Sequence, residues 1–90
     1  MSKSIESSVG HNGQNVKSSV MTVQYLLNCV PAAQGGPQPE LAVDGIVGPR
    51  TIAAIKRFQA RKVGFADGRV DPGGKTLAAL GVFDPYPHQP

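Results

Sequence analysis

Few of the 90 residues are of types that do covalent chemistry, and none of those is spaced for it. The six acidic residues are thinly spread and mostly fall in turns, whereas paired catalytic carboxylates need a cleft of fixed geometry. The single cysteine, Cys29, closes an apolar run, where a small buried side chain is its expected role. One cysteine also excludes an internal disulfide framework. His11 and His88 lie toward the two chain ends, so neither is placed to serve a thiol as base or to converge with other ligands on zinc. The sequence therefore points to no catalytic residue, no metal site and no cofactor. The nine basic residues give a net charge of +3, and Lys56, Arg57, Arg61 and Lys62 fall along one stretch. With aromatics few and scattered, that stretch reads as a solvated helix face with cations near its C-terminus rather than as a nucleic-acid stripe.

What the chain does contain is a repeated phrase. Val43-Asp44-Gly45-Ile46-Val47-Gly48-Pro49-Arg50-Thr51 opens with Asp-Gly, suited to a tight turn because glycine accepts positive φ and aspartate bonds nearby N–H groups. Gly48-Pro49 then marks a helix start, with proline at the position whose N–H would be unpaired anyway. Asp67-Gly68-Arg69-Val70-Asp71-Pro72-Gly73-Gly74-Lys75-Thr76 repeats the phrase with Asp71 in place of a glycine and two extra residues before the threonine. Two copies are too few for a solenoid. They imply a compact pseudo-symmetric domain.

The elements that must position these turns are helical. Val20, Val23, Leu26, Leu27 and Val30 define one apolar face, with Ser19 as N-cap and a stop before Pro31. Residues 31–40 read as a Pro/Gly-rich loop with no room for an element. The second helix is expected over Pro49 to Lys62, with Ile52, Ile55, Phe58 and the Lys62 methylenes on its inner face. Gly64 is placed for a left-handed cap, with Phe65 folding back on the last turn. The third helix is expected from Asp71 as N-cap and Pro72 at its first position through Leu80, ended by Gly81, with Val82 or Phe83 making the capping contact. The fold class is thus all-α: a compact three-helix bundle with two Asp-Gly turn-helix repeats and irregular termini. Its core is expected between about Val20 and Val82, with Val9 and Val16 available to pin the first segment. Residues 1–15 form an irregular N-terminal segment, 16–83 the domain, and 84–90 a Pro-rich linker or tail.

Val23-Gln24-Tyr25-Leu26-Leu27-Asn28, the first Asp-Gly phrase, Ile55-Lys56-Arg57-Phe58-Gln59, Asp67-Gly68-Arg69-Val70 and Thr76-Leu77 together resemble the peptidoglycan-binding-like domain family. The match extends over roughly residues 16 to 82, and the ordered combination is specific where each piece alone is weak. The resemblance implies a three-helix wall-binding module that holds a lytic enzyme or toxin against peptidoglycan. It places the ligand surface around the first turn: Asp44, Gly45, Gly48, Arg50 and Thr51, with Gln59 and Gln24 as further polar contacts. An exposed helix N-terminus and a bidentate Arg50 would suit a stem-peptide carboxylate. The same turn residues are equally suited to shaping the turn and capping the helix. In the second copy Asp71 would repel a carboxylate, so the first copy is the expected site.

The partners implied are peptidoglycan, by its stem peptide or glycan, and a catalytic domain following residue 90, with neither nucleic acid nor membrane. No apolar run reaches the ~18 residues of a membrane span, and residues 1–9 lack the apolar region of a secretory signal. Action at the wall would then require delivery by a phage holin route or a secretion system. The alternative is a protein–protein adaptor or loading module of a secreted effector that kept the fold and lost wall binding.

Overall fold

In a computed structural model, residues 4–85 are described, and they form three α-helices and one small antiparallel sheet. Helix α1 spans Lys17–Asn28, α2 Pro49–Lys62 and α3 Lys75–Gly81; strands β1 (Val9–Gly10) and β2 (Arg69–Val70) pair with Val9 opposite Val70 and Gly10 opposite Arg69. The helical architecture agrees with the sequence reading. The sheet is an addition to it, and it draws a strand from a stretch expected to be irregular.

The apolar face of α1 packs as its spacing requires: Val20, Val23, Leu26 and Leu27 are fully buried, against Ile55 and Phe58 of α2 and Leu77 and Leu80 of α3. The core also extends further toward the N-terminus than Val20, because Ile5 and Val9 belong to it. Val9 is wholly buried, whereas the Val16 side chain stays 44% exposed and Val16 holds the segment through its backbone, its N–H donating to Ser7 Oγ at 3.2 Å. Phe83 meets the Phe58 ring edge-on, with centroids 6.1 Å apart, and the Lys62 ammonium lies 5.6 Å from the Phe83 centroid. Phe83 therefore makes the contact that closes α3, while Val82 is exposed. Phe65 is exposed as well; Gly64 takes the left-handed φ of +99° without that aromatic folding back on the helix.

Three element boundaries differ from expectation, each for a local reason. Helix α1 starts three residues earlier, with Val16 as N-cap, because Ser19 is used elsewhere: its Oγ accepts the backbone N–H groups of Glu6, at 3.0 Å, and Ser7, at 3.3 Å. A buried hydroxyl that satisfies two chain amides ties the N-terminal segment to α1. The loop after Pro31 contains a 3₁₀ turn, Ala32–Gln34, held by α2. Arg57 Nη2 donates to the Ala32 carbonyl at 3.1 Å, Arg61 Nη2 to that of Ala33 at 2.6 Å, and Lys62 Nζ to Gln34 Oε1 at 3.1 Å. Much of the basic face of α2 is thus a loop tether. Helix α3 begins at Lys75 with Gly74 as N-cap, not at Asp71. Asp71 instead holds a turn, its carbonyl accepting the Gly74 N–H at 3.0 Å while its carboxylate pairs with Arg69 Nε at 2.9 Å. Cys29 is half-buried at the C-cap of α1. Residues 86–90, the greater part of the expected tail, lie outside the described residues.

Where β1 meets β2 the backbones approach closely. Gly10 has φ +112°, and a Cβ there would overlap the Gly68 carbonyl oxygen. Gly10→Ala should therefore lower stability by more than ~1 kcal/mol in urea denaturation, whereas Val82→Ala, at an exposed site, should stay within about 0.5 kcal/mol.

Candidate functional site

Two glutamines, one on α1 and one on α2, are buried in the middle of the domain, with Gln24 1% and Gln59 0% exposed. An uncharged amide in such a place costs several kcal/mol unless its donors and acceptor are matched. Each glutamine is matched by the turn that follows it. Gln24 Oε1 accepts the N–H groups of Asp44, at 3.1 Å, and Gly45, at 3.0 Å. Its Nε2 lies within 3.2 Å of Asp44 Oδ1, the Ile46 carbonyl and Thr51 Oγ1. Gln59 repeats this arrangement one helix later: Oε1 accepts the Gly68 N–H at 2.9 Å, and Nε2 reaches Asp67 Oδ1, the Arg69 carbonyl and Thr76 Oγ1 at 2.8, 3.0 and 3.1 Å. In both copies the amide shares two N–H bonds among three acceptors.

The aspartates complete the clamps. Asp44 Oδ1 accepts the Ile46 N–H and Asp67 Oδ1 the Arg69 N–H, each at 3.0 Å, so each carboxylate closes an Asx turn across its glycine. These backbone hydrogen bonds, followed by those from Gln24 and Gln59, hold both carboxyl groups below the usual aspartate range. Gly45 and Gly68 adopt the same φ of +77°.

Around the first clamp lies an open cleft of about 310 Å³, lined by Leu41, Ala42, Asp44, Ile46, Gly48, Pro49, Arg50, Thr51 and part of Gln24. Its wall at Leu41 is fixed by Asn28, which donates to the Leu41 carbonyl at 2.9 Å and accepts its N–H at 2.8 Å. Its floor is the start of α2, where Gly48 is an extended N-cap without a side-chain cap bond and Pro49 stands at the first position. The first-turn amides of α2 therefore lack a capping side chain, and the Arg50 side chain stands exposed beside them. A second hollow of about 210 Å³ adjoins through Leu41 and Arg50 and extends to Pro37, Gln38, Pro39 and Arg57.

Of the seven residues singled out from the sequence, Gln24, Asp44, Gly48, Arg50 and Thr51 border this cleft, and Gly45 is next to it in the turn. Gln59 is in the other clamp, away from the cleft, with its side chain fully committed to Asp67, Gly68, Arg69 and Thr76. Gln24 and Thr51 are buried and bonded to each other at 3.2 Å, so their immediate role is to hold the turn. The exposed charged groups at the cleft are those of Asp44 and Arg50. Sequence reasoning did not find Asn28 or Ile46: Asn28 looks like an ordinary helix-end residue, and nothing in the spacing of Ile46 signals a side chain left 68% exposed.

The buried polar groups of this small helical domain thus shape two turns, and an open cleft lies beside the first. Residues 16–80 match the family described as "Putative peptidoglycan binding domain", and the chain belongs to that family. No curated protein and no solved structure gives a significant match. Among the described residues there is no cluster of side chains able to hold a metal ion, and no helix is long and apolar enough to cross a membrane.

Two outcomes follow from the clamps. Gln59→Leu leaves the Gly68 amide and the Thr76 hydroxyl without their partner and should destabilise the fold by about 2–4 kcal/mol in chemical denaturation. Because the folded-state pKa values of Asp44 and Asp67 are lowered, their contribution is fully present above the ordinary carboxylate pKa of about 4 and is lost as pH falls through the folded values. The melting temperature of an Asp44→Asn/Asp67→Asn variant, which keeps the Oδ1 acceptors, should consequently decline less than that of the parent between pH 5 and 2.

Proposed function

We propose that this domain is a noncatalytic anchor that targets an attached or partner lytic enzyme or toxin to the bacterial wall, and that the cleft at the first Asp-Gly turn receives the peptidoglycan. The observation that carries this reading is the uncapped N-terminus of α2 beside the exposed Arg50. Unpaired N–H groups and the positive end of a 14-residue helix favour an anion, and a guanidinium adds a forked pair of donors. Stem peptides of the wall carry carboxylates. In this reading Asp44, Gly45, Gly48 and Thr51 shape the receiving surface, Gln24 holds it, and Arg50 contacts the ligand.

The second copy gives the contrast. There Asp71 replaces the glycine, its carboxylate takes Arg69 as a partner, and the helix starts three residues after Pro72. A carboxylate already stands where an anionic ligand would have to approach. The two turns have the same skeleton and a cation before the threonine in each, Arg50 and Lys75, but the second adds the Arg69–Asp71 ion pair. Both Asp44 and Arg50 border the open cleft, which suits a ligand bearing an amine as well as a carboxylate.

The test is co-sedimentation with purified sacculi at low and moderate salt. Arg50→Ala should reduce retention roughly tenfold, the loss of one charge-assisted contact of about 1.5 kcal/mol, without lowering the melting temperature. Lys75→Ala, at the equivalent place before Thr76, should leave retention unchanged. If the parent protein is not retained at all, the wall-anchor reading fails in favour of an adaptor that binds protein.

A further inference from the structure

The two clamped turns differ in what lies along their backbones. Beside the second, β1 runs antiparallel: Val9 pairs with Val70, Gly10 is opposite Arg69, and His11 donates its N–H to the Gly68 carbonyl at 2.9 Å. In the first turn Gly45, Ile46 and Val47 are the counterparts of Gly68, Arg69 and Val70, with the same Asx bond and the same glutamine bond to the middle carbonyl. Yet among the described residues no strand lies there. Among the described residues, no backbone group bonds to the Gly45 carbonyl or to the Val47 amide and carbonyl.

Burial confirms that the edge is open. Gly68 and Val70 are buried where Gly45 and Val47 are half-buried, and Ile46 is exposed where Arg69 is half-buried. The helix flank is laid out in parallel too. On α2, Ile52 and Lys56 approach Gly68; on α1, Lys17 crosses Gly45, and Met21 one turn further on is 37% exposed. Such an edge, with unpaired N–H and C=O groups and apolar side chains beside it, accepts an extended peptide by strand addition.

The internal strand also shows what stereochemistry suits this edge. Val9 is an ordinary L residue, but Gly10 has φ +112°, and an L side chain there would overlap the Gly68 carbonyl oxygen. A φ of that sign is the mirror image of the extended value, which D residues adopt freely and L residues avoid. A D residue directs its Cβ to the other side of its Cα, away from that carbonyl. The chain thus pairs its second turn with an L residue followed by a glycine that stands in for a D residue. Peptidoglycan stem peptides contain the L-then-D sequence that ribosomal chains lack.

Resting on the wall-binding reading above, we propose that the Gly45–Val47 edge binds the stem peptide as an added antiparallel strand, with an L residue opposite Val47 and the following D residue opposite Ile46. Selection is by backbone pairing and chirality, so it is for the peptide and not for the glycan.

The test is a titration of the 90-residue protein, followed by amide chemical shifts, with acetyl-L-Lys-D-Ala, with its all-L diastereomer, and with the L-D peptide N-methylated at lysine. The L-D peptide should shift the Gly45, Ile46 and Val47 amides and bind at least ~10-fold more tightly than the all-L form. The N-methyl peptide, which lacks the N–H facing Val47, should not bind. Equal binding of the two diastereomers, or shifts confined to other residues, overturns the strand-addition inference. Retention on sacculi, measured in parallel, separates the two ideas: retained protein without those shifts sinks only the inference, whereas absent retention sinks the wall-binding reading beneath it.

Discussion

The structure depends on one interaction used twice, a buried glutamine amide that binds an Asp-Gly turn and the threonine of the next helix. Gln24 and Gln59 could not be placed in the core without it, because a bare amide there would forfeit its hydrogen bonds to water. The turns in turn need the glutamines. Their N–H and C=O groups point inward, where only a side chain with both a donor and an acceptor at one end can satisfy them. Thr51 and Thr76 are drawn into the same networks, which fixes where α2 and α3 begin relative to the preceding helices. The apolar faces supply the burial that drives folding, and the clamps select the register in which those faces meet.

The duplication makes the differences between the copies informative. Around the second clamp the chain has used its own resources: β1 covers the backbone edge, Arg69 pairs with Asp71, and α3 starts late. Around the first clamp the same skeleton has no covering strand among the described residues, and its strand-like backbone is left unpaired beside an exposed arginine. A domain of this size has little surface to spare for features that serve neither folding nor binding. Both copies carry stability through their clamps, and the open copy also carries the binding surface proposed for this family member.

The Ser19 and Arg57–Arg61–Lys62 contacts illustrate a second constraint, the need to tether segments too polar to be buried. The N-terminal segment and the 3₁₀ turn have few apolar side chains of their own. Each is held by side chains of a neighbouring helix that donate to or accept from its main chain. A serine that reads as a helix cap and a cationic stretch that reads as a solvated face are both diverted to this purpose. Neither role is local, so neither can be read from neighbours in sequence.

By itself the sequence determined the three helices, the helical periods that build the core, and the identity of α2 to the residue, because Gly48-Pro49 and Arg61-Lys62-Val63-Gly64 are start and stop signals that act within one turn of chain. It also picked out the residues of the first turn, since Asp-Gly and Gly-Pro have few other uses. Only the tertiary structure decided what those residues do. Gln24, Gln59 and Thr51 carry the same polar groups whether they face a ligand or a turn, and it is burial, set by how α1, α2 and α3 pack, that commits them to the turns. The start of α3 and the pairing of β1 with β2 were likewise beyond the sequence. Asp71-Pro72 is as good a helix start as Gly74-Lys75 until Arg69 claims the aspartate, and a two-residue strand has no period to detect; it exists because the packing of the intervening helices α1 and α2 brings Val70 opposite Val9.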